Sequence, residues 1–214
     1  MIKRNRRKRL PEPCARVRIV SLSHDGRGVA HIDGKAVFID GALPGEEVAF
    51  EYLATRRKFD EGRATEIHQP SPDRAVPPCV HFGVCGGCSL QHMEPAAQIR
   101  AKQGVLLDNF RHIGDVAPGE VLPPLSGPAT GYRTRARLGA RHVIKKGRVL
   151  VGFREKRSAF LADLASCEVL HPAAGRHIGD FAALLDGMDA KARIPQIEVA
   201  IGDDVTALVF RHLD

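Results

Sequence analysis

The segment EVAFEY, Glu47–Tyr52, decides the fold of the first part of the chain because its apolar and polar side chains alternate. Val48, Phe50 and Tyr52 would face one side of an extended segment, and the glutamates and the alanine between them would face the other. A strand with this pattern buries one face and exposes the other. The segment therefore predicts a β-sheet with a single apolar side.

Further short β segments surround this strand, and turns rich in glycine, proline or aspartate separate them. They are Arg16–Leu22, Gly28–Ile32, Lys35–Ile39 and Arg63–His68. Five strands in so short a stretch predict a small closed barrel of the OB type. The open face of such a barrel is a frequent platform for oligonucleotides.

Proline-rich and glycine-rich connections divide the rest of the chain. We predict a mainly β protein with minor α structure, in five segments. These are a basic tail at 1–13, the barrel at 14–70, a linker with a cysteine motif at 71–93, a helix and connection at 94–130, and a β-rich α+β domain at 131–214. Within the last two segments, a helix with a buried apolar stripe is predicted at Pro95–Ile113, strands at Arg133–Ala140, Arg148–Arg154, Ala159–Leu164, Gln196–Ile201 and Val205–Phe210, and a helix around Ala173–Leu185.

The net charge of +7 is distributed unevenly. Six basic residues lie in the first nine positions, and Arg133–Arg157 holds ten Lys or Arg against a single acid. Such blocks are either solvated surfaces or contacts for a polyanion such as RNA. In the second block, Arg133, Arg135 and Arg137 are two residues apart, so their side chains would project from one face of a strand.

Three of the five cysteines, Cys79, Cys85 and Cys88, lie within ten residues in the pattern C-x5-C-x2-C. No signal peptide and no membrane span is recognised, so this crowded, odd-numbered set favours reduced thiols in the cytoplasm and a metal site. With Cys167 they would provide four soft ligands, which suit either zinc or an iron–sulfur cluster. The spacing alone does not choose between the two.

Neighbouring residues leave further options for the ligand set. His81 and His92 are possible substitutes for the fourth ligand. The Gly86-Gly87 dipeptide would let backbone N–H groups approach sulfur closely. Cys14, which has no partner nearby in sequence, is interpreted as a buried or incidental free thiol.

Separate stretches resemble, in the same order, the TRAM domain, the cluster motif and the central domain of one family. That family is the bacterial 23S rRNA uracil-5-methyltransferases of the RlmD (RumA) type. The stretches are DGRGVAHIDGKAVFIDGALPGEEV at Asp25–Val48, CVHFGVCGGCSLQHM at Cys79–Met93, GYRTRARL at Gly131–Leu138 and VGFREKRSAFLADLASCEVLHP at Val151–Pro172.

The resemblance implies that Cys79, Cys85, Cys88 and Cys167 ligate a 4Fe–4S cluster. Its role would be structural or in RNA folding, since methyl transfer is not a redox reaction. The implied partner is 23S rRNA. S-adenosylmethionine would bind only in a further Rossmann-like domain, against which the helix at Pro95–Ile113 could pack. No catalytic residue of that domain can be placed here, so the chain alone is expected to bind RNA but to transfer no methyl group.

The preferred RNA contacts are basic and aromatic residues of the second basic block and its start: Arg133, Arg135, Arg137, Arg154, Lys156 and Tyr132. For Phe153, core packing is the favoured interpretation. The alternative function is a stand-alone, non-catalytic RNA-binding protein with a zinc or iron–sulfur site. A tRNA-directed relative is less favoured, because such enzymes generally lack both barrel and cluster. Neither a membrane nor a DNA partner is expected, and a monomer is favoured.

Overall fold

The computed structural model describes residues 10–213, which divide into two compact units. The first unit runs to Val76 and resumes over His92–Pro124, and the second contains Pro77–Gln91 and the chain from Leu125 onward. Both are built on β-sheets, which confirms the mainly β fold class. Most of the predicted basic tail lies outside the described residues. No helix within residues 10–213 is both long enough and apolar enough to cross a membrane.

The first unit is a six-stranded sheet in the order β1-β5-β6-β4-β3-β2. All neighbouring strands are antiparallel except β4 and β6, which are parallel. The strands are β1 (Cys14–Arg18), β2 (Ser21–Leu22), β3 (Gly28–Ile32), β4 (Lys35–Asp40), β5 (Glu47–Thr55) and β6 (Phe59–Gln69). The predicted alternation in β5 is confirmed, because Val48 and Phe50 are fully buried and Tyr52 packs partly against the same core, whereas Glu47, Ala49 and Glu51 are only partly buried.

The expectation of a closed barrel is wrong, because the hydrogen-bonded sheet is open with β1 and β2 as its edges. The single strand predicted at 16–22 is interrupted at Ile19 and Val20. The Ile19 N–H donates to the Glu46 carbonyl at 2.9 Å, whereas the Val20 N–H donates to the Val29 carbonyl at 2.8 Å. The backbone thus changes pairing partner within two residues, and no continuous ladder forms between the edge strands.

Apolar side chains from three strands and two connecting segments fill the core of the first unit: Ile19, Ala30, Val37, Ile39, Ala42, Val48 and Phe50. Position 62, which lies against this core, must be glycine, since a Cβ there would lie 2.5 Å from the Phe50 ring. The core is therefore closed by ordinary close packing of hydrocarbon.

A buried carboxylate, Glu46, ties the predicted linker to this sheet. Its side chain is fully buried and accepts hydrogen bonds from the backbone N–H of Leu43 at 2.8 Å and of Ser71 at 3.1 Å. The Arg74 guanidinium donates to both carboxylate oxygens, at 2.7 Å through Nη2, and also to the Gly41 carbonyl at 2.8 Å. The linker is therefore part of the first unit rather than a free connection.

The linker also pairs with the chain where it returns to the first unit after the cysteine motif. The Ala75 N–H donates to the His92 carbonyl at 3.0 Å, and the Glu94 N–H donates to the Asp73 carbonyl at 2.9 Å. These bonds join the two ends of the segment Pro77–Gln91, which belongs to the second unit and which we call the excursion 77–91. The residues that flank it are consequently fixed side by side within the first unit.

The helix α1 (Pro95–His112) begins at Pro95 as predicted, but its apolar stripe is not buried. Ala97 is its buried residue, and it packs with Leu43 and Met93. Farther along, Leu106 is 51% exposed and Phe110 38% exposed. The expectation of a buried stripe is wrong for the described part of the chain, since its last turns have no apolar cover there.

The second unit is a four-stranded antiparallel sheet in the order β10-β9-β7-β8. Its elements are β7 (Arg135–Val143), β8 (Arg148–Gly152), α2 (Pro172–Gly175), α3 (Ile178–Asp186), β9 (Gln196–Ile201) and β10 (Thr206–Arg211). One face of the sheet packs against α3, with Leu138, Val151, Ile178 and Leu185 in the shared core.

Some predicted elements of the second unit are wrong. Ala159–Leu164 is not a strand and contributes one isolated bridge, Arg154 to Leu161. The turn before it contains Arg157 at φ 58°, a left-handed conformation that ends regular pairing. The predicted helix at 173–185 is two helices, because Arg176 and His177 separate α2 from α3.

Candidate metal centre and nucleic-acid interface

All four predicted cysteine ligands line one pocket of the second unit. We call this the cysteine pocket and define it by Cys79, Cys85, Cys88 and Cys167. The first three come from the excursion 77–91, and Cys167 comes from the loop before α2. Most of the remaining wall is apolar, formed by Phe82, Phe153, Leu164 and Val169.

Tight local hydrogen bonds shape the loop that carries the first three cysteines. The Phe82 N–H donates to the Cys79 carbonyl at 3.0 Å, and the Cys85 N–H donates to the His81 carbonyl at 2.9 Å. The Gln91 side chain accepts from the Cys79 N–H at 3.2 Å and also hydrogen-bonds Cys88. The loop contains no helix or strand, so these bonds and its isolated bridge to Glu155 hold its shape.

The Gly86-Gly87 dipeptide lets this loop lie directly against the backbone after β8. The Gly86 N–H donates to the Arg154 carbonyl at 2.8 Å, and a Cβ on Gly86 would lie 2.9 Å from the same oxygen. The Gly87 N–H lies 3.4 Å from the Cys85 sulfur. A Cβ on Gly87 would lie 3.2 Å from the Phe153 ring, so both glycines are needed for this close approach.

Cys167 is held in the pocket by its own backbone neighbours. Its N–H donates to the Gly175 carbonyl at 2.9 Å. A Cβ on Gly175 would lie 2.5 Å from the Cys167 carbonyl oxygen, so α2 can approach this loop only through a glycine. The Arg133 N–H donates to the Val169 carbonyl at 2.9 Å, which fixes the other side of the loop.

The electrostatics of the pocket disfavour several free thiolates at once. Burial raises the pKa of Cys85, and the neighbouring cysteines add to this rise, while the Gly87 N–H opposes it. Burial also raises the pKa of Cys88, against the hydrogen bond from Gln91 and the positive charge of Arg133. A metal cation in the pocket would relieve this repulsion, because its positive charge stabilises the thiolates that bind it.

The two histidines considered as substitute ligands lie in different places. His81 lines the cysteine pocket, and its Nε2 lies 3.3 Å from the Ala165 N–H. His92 is buried in the first unit and does not line the pocket. Within residues 10–213, no three His, Cys, Asp or Glu side chains converge closely enough to hold a single metal ion as they stand.

Two of the predicted RNA contacts are already engaged by neighbouring side chains. The Arg133 guanidinium is half-buried and lies 5.5 Å from the centre of the Phe153 ring. Arg137 on β7 lies 3.6 Å from Glu198, which pairs more closely with Arg211 at 2.7 Å. Arg133 therefore belongs to the surroundings of the cysteine pocket as much as to any outer surface.

The remaining predicted contacts are more accessible, with one exception. Tyr132 is 50% exposed, and Arg135 and Arg154 are exposed. Lys156 is only partly exposed, and its Nζ lies 5.2 Å from the centre of the Phe82 ring, beside the cysteine pocket.

Sequence reasoning missed several residues that the structure places at these sites. Gln91 contacts two of the four cysteines, but nothing in its sequence context marks it. Arg141 lies on the same face of β7 as Arg137, four residues away, and the period-two spacing of the arginines could have identified it.

Comparison with known proteins gives three results for this chain. The model of the TRAM domain family matches residues 15–65, which span most of the six-stranded sheet. The 23S rRNA (uracil(1939)-C(5))-methyltransferase RlmD of Alcanivorax borkumensis is 56% identical over 98% of this chain. RlmD of Methylococcus capsulatus is 54% identical over 99% of it. The chain is a relative of the RlmD-type methyltransferases. It spans 47% and 48% of the length of these two relatives.

A solved structure shares the fold at low identity. It is the Pyrococcus abyssi tRNA (uracil-54, C5)-methyltransferase in complex with S-adenosyl-L-homocysteine, with a TM-score of 0.64, 22% identity, and coverage of 91% of this chain and 45% of that one. A tRNA-directed enzyme therefore has the same fold over most of this RlmD relative. The fold alone therefore does not distinguish an rRNA-directed from a tRNA-directed enzyme.

Proposed function

We propose that the chain is the RNA-recognition and iron–sulfur portion of an S-adenosylmethionine-dependent enzyme that methylates the 5-position of a uridine in 23S rRNA. One observation carries the proposal. In a chain that resembles RlmD-type enzymes over nearly its whole length, cysteines from two distant segments line one pocket.

The donor set of the pocket fits a 4Fe–4S cluster. Cys79, Cys85, Cys88 and Cys167 would be its ligands, and thiolates in an apolar surrounding with nearby backbone N–H groups are the usual setting for such clusters. When bound, the cluster would cross-link the excursion 77–91 to the loop at Cys167. We assign it this structural role, because methyl transfer to uracil needs no electron.

The proposed RNA contacts lie on each unit separately, on the TRAM sheet of the first and on basic residues of the second. We place methyl transfer and S-adenosylmethionine binding outside these 214 residues. The chain spans about half of its RlmD relatives, and Cys14, which is left after the four pocket cysteines, hydrogen-bonds within its own strand to the Arg16 carbonyl. The exposed apolar residues of α1 would then be covered by the domain that binds the cofactor.

Anaerobic purification followed by analysis of iron, zinc and acid-labile sulfide tests the cluster. We expect iron and sulfide in near-equal amounts, and we expect Cys85→Ser and Cys167→Ser to lose both. Cys14→Ser is the matched control, since this thiol lies in the other unit and should not affect iron content. Stoichiometric zinc would overturn the cluster and favour a stand-alone zinc-containing RNA-binding protein. Full iron retention in Cys167→Ser would remove Cys167 from the ligand set.

Two binding measurements on the same 214-residue chain test the proposal that it binds RNA but not S-adenosylmethionine. Calorimetry with S-adenosylmethionine should show no binding, and filter binding with a 23S rRNA fragment should show salt-dependent binding. Methyl transfer to that fragment by the chain alone would contradict the proposal.

A further inference from the structure

A second concavity of the second unit lies over β7 and β8 and shares Phe153 with the cysteine pocket. Its basic side chains are Arg137, Arg141 and Arg154, and we call it the arginine groove. None of the described residues that line it is acidic. A concave surface that carries only positive charge focuses the field on an anionic ligand.

A pair of glycines forms the groove. Gly139 of β7 and Gly152 of β8 stand opposite each other in register. A Cβ on Gly139 would lie 2.5 Å from Leu161, and a Cβ on Gly152 would lie 2.8 Å from Leu164. The segment after β8 can therefore fold back over the sheet at this place. That return brings Arg154 beside the arginines of β7.

The groove holds positive charge that the described chain does not neutralise. The guanidinium groups of Arg141 and Arg154 form no hydrogen bond or ion pair with any residue between 10 and 213. Among the described residues, Arg137 has only the long 3.6 Å contact with Glu198, which is better paired with Arg211. These three groups are thus available to a ligand.

Two other basic residues of the same block are neutralised. Lys146 and Arg148 both donate to Asp163, at 2.7 and 2.6 Å. The hydrogen bond from Lys146, together with that from Arg148, keeps the pKa of Asp163 below its ordinary value. The block of ten basic residues is therefore not uniform: Asp163 neutralises two of them, whereas the groove brings three arginines without a close acidic partner onto one concave surface.

We propose that the arginine groove binds the phosphodiester backbone of a single-stranded segment of the RNA substrate, with its guanidinium groups on neighbouring phosphates. Guanidinium forms paired hydrogen bonds with phosphate oxygens, and such contacts position an RNA without reading its sequence. The proposal rests on the proposed function, since it assigns a place to the RNA that the chain recognises. It adds Arg141 to the interface.

Filter binding of the full 214-residue chain tests the groove, with single-stranded oligouridine and a 23S rRNA fragment as probes. The variant R137Q/R141Q/R154Q should bind both probes on the order of 100-fold more weakly, at about tenfold for each lost charged hydrogen-bonding group and less than full additivity. The slope of log affinity against log salt should fall by about 2, at roughly 0.7 for each phosphate contact of a single strand.

The matched control removes the same charge from the same block. K145Q/K146Q/R148Q takes away three positive charges outside the groove and should change the salt slope by less than about 1. Iron content and circular dichroism of both variants verify that the fold is kept. Suppose that the unmodified chain binds RNA. Equal losses of RNA affinity in the two variants, or no loss in the groove variant, would then overturn RNA binding by the groove. Absence of binding by the unmodified chain would instead overturn both the groove and the proposed RNA recognition.

Discussion

The core of the first unit and the cysteine pocket of the second are held together by different physics. In the first unit, seven buried apolar residues from strands and turns exclude water, and the buried Glu46 has its hydrogen bonds supplied by Arg74 and two backbone groups. The cysteine pocket joins two irregular loops through a few backbone bonds, and its thiols disfavour one another's charge. Close packing suffices for the first region, whereas in the second the proposed cluster would supply the missing cross-links.

Removing the proposed cluster should give the largest difference between the two regions. Treatment of the anaerobically purified chain with an iron chelator should raise hydrogen exchange sharply over 79–91 and 164–171, because metal ligation supplies much of the folding free energy of such loops. Exchange of β3, β4 and β5 should stay unchanged. Exchange mass spectrometry measures both regions in one sample, and equal loosening of the two would break the comparison.

Arg74→Met should give the next largest effect and should act on the first unit. It leaves the fully buried Glu46 carboxylate without its cation, which typically costs about 3 kcal/mol or more. Arg100→Met is the matched control, because Arg100 pairs with Asp73 on the exposed surface and its loss should cost under about 1 kcal/mol. Urea unfolding of the chain measures both. Similar losses in the two variants would show that the burial of Glu46 does not matter.

The stability of the first unit should depend on pH through the Glu46 carboxylate. Burial alone would raise the pKa of Glu46, but the hydrogen bonds from Arg74, Leu43 and Ser71 outweigh it, and the pKa lies below its ordinary value of 4.5. The contribution of Glu46 to stability is therefore complete above pH 4.5 and is lost as the pH falls from there through the folded-state pKa. Unfolding free energies across this range should fall less steeply in Glu46→Gln. An equal slope in that variant would assign the effect to other carboxylates.

Gly175→Ala should have a smaller effect, and this one should act on the second unit. The added Cβ would press on the Cys167 carbonyl at 2.5 Å, so we expect a loss of about 1–3 kcal/mol and lower iron retention. Gly179→Ala is the control, since its nearest neighbour would be 3.9 Å away, and it should be neutral or slightly stabilising. Thermal unfolding and iron analysis of both variants provide the measurement. Wild-type iron content in Gly175→Ala would argue against a fixed position for Cys167.

Arg133→Gln should have the smallest effect and would sharpen the boundary between pocket and RNA surface. Its guanidinium lies over Phe153, a contact worth about 0.5–1 kcal/mol, and it offsets thiolate charge at Cys88. We expect a modest drop in thermal midpoint and faster loss of iron in air. The salt slope of RNA binding should change by less than in the single variant Arg141→Gln, which removes one arginine of the groove. A change in salt slope as large as that of Arg141→Gln would show that Arg133 contacts the RNA.

The sequence predicted those parts of the fold in which one local pattern was sufficient. The bounds of β3 and β9 are as predicted, because alternation and flanking turns mark both ends. The segment at 159–164 also looks like a strand, but its side chains are used to cover Gly139 and Gly152, which only a three-dimensional view reveals. The exposed stripe of α1 shows the same limit, since periodicity reports an apolar face but not whether anything covers it.

The candidate site was predictable in its sulfurs and not in its supporting groups. Cysteine spacing and the family resemblance singled out the residues that the structure brings to one pocket. Gln91 and Gly175 gave no such sign, because an amide or a glycine becomes informative only beside the backbone it contacts. Likewise, the charge block predicted a basic surface but not which of its members Asp163 neutralises.

The bonds between Ala75 and His92 and between Asp73 and Glu94 bear on the order of assembly. Because they anchor both ends of the excursion 77–91 in the first unit, the entropic cost of bringing those ends together is met by the fold itself and not by the proposed cluster. A newly made chain could fold its TRAM sheet first and present the three thiols of this tethered loop to whatever delivers iron. Assembly of the proposed cluster would then be a late and local event that leaves the first unit unchanged.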